Sequence, residues 1–211
     1  MARMSRLTSA LRSSVRRLEH EAAIWRDEPL KRVAVRNYVL MRPIRKRQFM
    51  TFGRESLVDR PMWLYGSKHI AVGDRVIILR DAWLSVERMA WHKTEPVLDI
   101  RDGVAIRIAC CISASDSILI EENVGMGAYV TVVDSRHTWS SGHPHPLFSP
   151  VEASPVRIGP GTWLADRVTI TAGADIGEQC AIGSNSTVGG KVPDYSIVIG
   201  NPGRVVGSTR T

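Results

Sequence analysis

The chain has 211 residues, 44% of them hydrophobic and 23% charged, with a formal net charge of +7. That composition excludes a disordered or collagen-like chain and allows one good core with a small appendage. No stretch approaches the roughly 20 uninterrupted apolar residues of a membrane span, and the basic N-terminus lacks the apolar run of a secretory leader. The charge is uneven. Residues 1–50 hold 13 Lys+Arg against 4 Asp+Glu, a balance of +9, while residues 51–211 hold 15 against 17. Basicity is therefore a property of an N-terminal arm, which would suit anionic lipid or an acidic partner. No nucleic-acid motif accompanies it. The three cysteines take or adjoin small buried positions and form no disulfide framework, which fits a reducing cytoplasm.

Leu7, Leu11, Val15, Leu18, Ala22 and Trp25 recur at three- and four-residue spacing, which predicts an amphipathic helix over 5–27. The stripe includes Ala22, and Glu19 and Glu21 share the polar side, so packing on protein is favoured over lying at a membrane surface. A basic connector follows over 30–50, with Arg42, Arg45, Lys46 and Arg47 close together. The expected division is an arm at 1–50, one body at 51–206 and a tail at 207–211.

From Phe52 the pattern becomes strand-like, and aliphatics then recur every six residues. The first run is Val72, Ile78 and Leu84. The second is Ile100, Ile106, Ile112, Ile118, Val124 and Val130. The third is Ile158, Leu164, Ile170, Ile176, Ile182 and Val188, with Gly at 159, 177, 183 and 189 and a small or branched residue four places on, as at Thr162, Val168, Ala174, Cys180, Ser186 and Val192. A helix of period 3.6 cannot keep a six-residue repeat on one face. A coil of short strands turning every six residues can, each aliphatic entering a shared interior as coils stack. The glycines are expected at tight backbone turns. Two interruptions break the phase. The one at about 85–99 contains Trp91 and His92 and is expected to cover one end of the coil. The other, at 136–155, carries three of the six histidines and four prolines. A loop of that length inside a compact repeat is uncommon and usually functional. It is expected to arch over the side of the coil.

The segment Val156-Arg-Ile-Gly-Pro-Gly-Thr-Trp163, the hexads after it and the closing Val192-Pro-Asp-Tyr-Ser-Ile-Val-Ile-Gly-Asn-Pro-Gly-Arg-Val205 resemble the hexapeptide-repeat acyltransferases. The sugar O-acetyltransferases of the galactoside, maltose and polysaccharide type are the nearest in pattern, and the resemblance covers about 52–206. It implies an all-β chain built as a left-handed parallel β-helix, with a helical N-terminal arm and an active-site loop inserted between coils. It further implies a homotrimer with sites between subunits, acetyl-CoA or another acyl-CoA as co-substrate, and a sugar or glycoconjugate hydroxyl as acceptor. No metal and no acyl-enzyme are expected.

His137 matches the family's general base. A neutral imidazole suits that task, since a sugar hydroxyl is a poor nucleophile until its proton is taken. Asp134 and Asp116 are the candidate carboxylates beside it, although Ala114 stands where the galactoside-type enzymes carry an aspartate. His143 and His145 are rivals or acceptor contacts, and Trp139 could stack on a sugar. For the acyl donor the family pattern points to Trp163, Ala165 and Asp166, to Gly183, Ser184, Gly190 and Lys191, and to Arg204 near the phosphates. The clustered histidines leave a zinc carbonic-anhydrase-like enzyme as a rival reading, and a non-catalytic partner subunit as another. A cytoplasmic location is expected, with the basic arm as a contact to the inner membrane face or to a glycan-assembly partner.

Overall fold

A computed structural model of the chain describes residues 41, 43–138 and 149–210. The helix expected over 5–27, most of the 30–50 connector, and Trp139, His143 and His145 lie outside the described residues. The chain divides into two compact units, Met1–Met41 and Arg42–Thr211. Met41 apart, the described residues belong to the second.

That unit is a parallel β-helix of three sheets, because a strand of two or three residues can pair only with its counterpart one coil away. The first face stacks Thr51–Phe52, Ile70–Val72, Leu98–Ile100, Ile118–Ile120, Val156–Ile158, Asp175–Ile176 and Lys191–Val192. The second runs from Leu57–Val58 through Ile77–Ile78, Ala105–Ile106, Gly125–Met126, Trp163–Leu164 and Ala181–Ile182 to Ser196–Ile199. The third stacks Trp63–Tyr65, Trp83–Val86, Cys111–Ala114, Thr131–Val133, Thr169–Ile170 and Thr187–Val188. Ladders of inward aliphatics build the core: Val72, Ile100, Ile120, Ile158 and Ile176 align on the first face, and Ile78, Ile106, Met126, Leu164 and Ile182 on the second. Leu84, Ile112, Val132, Ile170 and Val188 align on the third, and all these residues are buried.

The outer two hexad runs coincide with this ladder. The middle one slips. After Ile112 the corner at 115–117 lengthens the step, so Ile120, Met126 and Val132 pair with the coils on either side, while Val124 and Val130 sit at corners and Ile118 opens its strand. The slipped phase looked equally regular because those corner positions are also buried and aliphatic. The glycines that follow the aliphatics of the third run also have a different role from the one expected, although Gly161 and Gly173 do sit at left-handed turns. Gly159 and Gly177 are not in the left-handed region. A Cβ on Gly159 would lie 2.6 Å from the Gly177 carbonyl carbon, and one on Gly177 would lie 2.3 Å from Asp194 Oδ1. Close approach of the next coil excludes a side chain there, whereas Arg75, Asn123, Arg167 and Asn185 take the left-handed corner positions.

Further segments flank the coil at each end. Residues 43–48 are helical, and buried Phe49 packs on Phe52 with ring centroids 5.5 Å apart. At the other end Arg204–Ser208 turns back antiparallel on Ser196–Ile199 and covers that sheet edge.

Candidate active site

Chain order dictates where the insertions emerge. Residues 87–97 leave the third face after Trp83–Val86 and rejoin the first at Leu98. Residues 134–155 leave the third face after Thr131–Val133 and rejoin the first at Val156. Both depart from the same edge of the prism, with the long corner at 115–117 stacked between them. The first insertion is therefore not an end cover. Coils lie on both sides of it, and it stands beside the second insertion.

Each insertion is pinned by specific groups. Glu87 N–H donates to the Ala114 carbonyl (2.8 Å), and a 3-10 turn, Arg88–Ala90, follows with Ala90 buried. Trp91 Nε1–H donates to the Val86 carbonyl at 2.9 Å. The ring fits there because Gly66, at φ 62°, leaves a gap that a Cβ would close to 2.9 Å from Trp91 Nε1. Lys93 donates to the Asp116 carbonyl at 2.9 Å and pairs with its carboxylate. The second insertion begins as an antiparallel hairpin, Ser135–His137 against Val151–Ala153, and Arg136 pairs with Glu152 at 2.9 Å.

Asp134 is fully buried at the root of this hairpin. Its Oδ1 accepts from Ser115 N–H at 2.7 Å, and its Oδ2 accepts from Asp116 and Ser117 N–H, each at 2.8 Å. Burial pushes the Asp134 carboxyl above the usual range, against the downward pull of the three amides. Neither candidate aspartate has a hydrogen bond to His137. Asp134 is consumed by the corner amides and Asp116 is tied to Lys93. What His137 has instead is the backbone of its own loop. The ring is exposed, with Nδ1 3.2 Å from the Ser149 carbonyl. A carbonyl can only accept, so that contact requires the proton on Nδ1, and in the neutral ring the lone pair is then on Nε2.

The two insertions and the corner between them enclose a groove of about 450 Å³, to which Glu87, Arg88, Ser113, Ser115, Ser135 and His137 contribute. Ser115 Oγ donates to Ser135 Oγ at 3.0 Å, and Ser113 Oγ lies 3.5 Å from Glu87 Oε1. Periodicity did not reveal Glu87 or the serines, because insertions carry no repeat and outward positions carry no apolar signal. One clue was present: alternate residues Ser113 and Ser115 continue a strand's outward face into the corner.

The remaining candidates are spread out. Trp163 is 46% exposed on the second face, lying over Gly125, where a Cβ would sit 2.7 Å from its ring. Ala165 follows it, and Asp166 Oδ1 accepts from Ala128 N–H at 2.7 Å, so this carboxylate is a corner cap. Gly183 and exposed Ser184 lie at the corner between the second and third faces. Gly190, at φ 81°, has open space around it at the same edge as His137, two coils on, and exposed Lys191 opens the next strand of the first face. Arg204 starts the antiparallel edge strand. Among the described residues neither Lys191 nor Arg204 has a carboxylate partner, which suits phosphate binding. A single chain thus gathers His137 with Glu87 and the serines, but distributes the donor-side candidates over the second face, the corner that follows it and the third-to-first edge. Among the described residues no group of three His, Cys, Asp or Glu is placed to hold a metal ion, and no helix is long and apolar enough to cross a membrane.

The repeats and the fold match those of known proteins. The family described as bacterial transferase hexapeptide (six repeats) matches residues 155–190. A Mycobacterium tuberculosis chain named as an acetyltransferase is 51% identical over 53 residues, 25% of this chain and 18% of that one. An Escherichia coli chain named for lipopolysaccharide biosynthesis as an O-acetyl transferase is 29% identical over 118 residues, 52% of this chain and 60% of its own length. The match therefore spans less than two thirds of either relative. Among solved structures, AntD, an N-acyltransferase from Bacillus cereus bound to dTDP-4-amino-4,6-dideoxyglucose and coenzyme A, superposes with TM-score 0.68 at 18% identity, covering 81% of this chain and 89% of that one. In repeat sequence and in fold, the chain resembles the hexapeptide-repeat acyltransferases.

Proposed function

We propose that this chain is an acyl-CoA-dependent O-acetyltransferase acting on a hydroxyl of a sugar or glycoconjugate, with His137 as general base. The observation that carries the reading is the His137 ring itself, oriented through Nδ1 by the Ser149 carbonyl beside a groove of hydroxyls and a carboxylate. Acetyl-CoA supplies the acyl group as a thioester, activated enough to be attacked directly. His137 Nε2 accepts the proton of the attacking hydroxyl, and the imidazolium then returns that proton to the departing thiol. The Ser149 carbonyl holds the tautomer throughout. Trp163 would form an apolar wall for the pantetheine arm, with Lys191 and Arg204 meeting phosphates.

The donor-side groups of one chain are spread from the second face round to the third-to-first edge, so the complete site needs chains side by side. A homotrimer of left-handed coils, sharing the donor cleft between neighbours, supplies that arrangement. Light scattering should return three times the mass of one chain. The acceptor functions of the named relatives support a carbohydrate substrate, and the basic N-terminal arm suits a cytoplasmic enzyme working beside a membrane or a glycan-assembly partner.

Replacing the base tests the chemistry. His137→Ala should lower turnover by about 10²–10⁴-fold, while acetyl-CoA still raises the melting temperature, because binding to the native state alone must stabilise it. Near-wild-type turnover in that variant, with His143→Ala inactive, would transfer the role to His143. Absence of any thermal shift with acetyl-CoA in the wild-type protein would remove the acyltransferase reading.

A further inference from the structure

The third face carries a feature that transfer chemistry alone does not use. Trp63 and Trp83 are paired in register on adjacent strands and stack with centroids 5.2 Å apart and planes 22° from parallel. Tyr65 flanks Trp63 at 6.5 Å and meets Trp91 of the first insertion at 5.3 Å. Trp63 remains 47% exposed, so one indole face is open. The stack is also joined to the groove. Trp83 Nε1–H donates to Ser85 Oγ at 3.2 Å, Ser85 Oγ donates to Ser113 Oγ at 3.0 Å, and Ser113 lies against Glu87. An open aromatic plane, linked through buried Ser85 to the Ser113 hydroxyl and the Glu87 carboxylate of the groove, matches one ligand chemistry well. A sugar ring offers an apolar C–H face to the electron-rich indole and hydroxyl donors to the carboxylate. Three inter-strand steps of about 4.8 Å separate the Trp63 strand from the Thr131–Val133 strand that leads to His137, roughly 14 Å in all. That is longer than a single sugar ring.

We propose that the acceptor is an oligosaccharide or glycan chain, bound along the third face with one ring on Trp63 and the ring to be acylated held by Glu87. This rests on the transferase reading for its last ring, but the aromatic subsite stands on its own geometry. The first insertion thereby becomes an acceptor-selecting element, and Glu87 a residue that positions the reacting sugar.

The test is binding of the full-length protein to an immobilised panel of neutral and acidic oligosaccharides, with free monosaccharides and nucleotides as competitors. At least one oligosaccharide should be retained and should bind ten-fold or more tighter than its single sugars. Trp63→Ala and Glu87→Gln should each weaken it ten-fold or more, and Trp63→Phe should recover most of the loss. His137→Ala should keep the glycan while losing transfer, and Trp63→Ala should keep the acetyl-CoA thermal shift. Retention of no glycan, retention of nucleotides alone, wild-type binding by Trp63→Ala, or a changed oligomer mass in that variant would each overturn the proposal. Glycan binding without any response to acetyl-CoA would instead sink the transferase reading and leave the subsite standing.

Discussion

Asp134 shows how misleading a residue can be when judged by its neighbours in sequence. Three places before the candidate base, a carboxylate invites the role of tautomer-fixing partner, yet its oxygens satisfy three corner amides. Asp134→Ala would leave those buried donors unpaired, at about 1–3 kcal/mol for each donor that cannot find water. A fall in denaturation midpoint larger than that of Asp134→Asn, which keeps one acceptor oxygen, is the expected result. Cys110 gives a pH-dependent counterpart. Burial pushes its thiol up to about 11. Unfolded chains lose this proton near the ordinary thiol range while the folded chain keeps it, so the contribution to stability is intact below that range and is lost as pH rises toward 11. Melting temperatures measured from pH 8 to 10.5 should therefore fall more steeply for the wild type than for Cys110→Ala, whatever their difference at pH 8.

At the scale of elements, close contact between stacked coils sets where outward side chains lie. Gly125 lies under the Trp163 ring, so Gly125→Ala must displace the indole from the second face. The strand itself needs no glycine here, since Ala105 and Ala181 occupy equivalent outward places. KM for acetyl-CoA should rise several-fold with little change in melting temperature, and unaltered KM would show that the indole does not line the donor path. The first insertion hangs on the Lys93–Asp116 pair and on Trp91. Its glycine partner, Gly66, was silent in the sequence, because the need for an absent Cβ arises from a ring 25 residues away in the chain.

For the whole molecule, coils touch only their neighbours, so cooperativity depends on the inward aliphatics being unbroken from end to end. Ile112 sits fully buried in the third-face ladder between Leu84 and Val132. Ile112→Ala should cost about 2–5 kcal/mol by chemical denaturation, with His137 activity falling in step if the corner beside it loosens. The six-residue repeat by itself determined the architecture and most of the core, because an interior shared by stacked coils takes an aliphatic side chain from the same place on every strand. It also led to His137, through the family pattern that the repeats carry. Only the tertiary structure decided what surrounds that histidine. Glu87 and His137 lie 50 residues apart, and they share a groove because two insertions leave the same edge, each one coil away from the corner at 115–117 that lies between them. Corner length carries no apolar period, so that edge could be found only by stacking the strands.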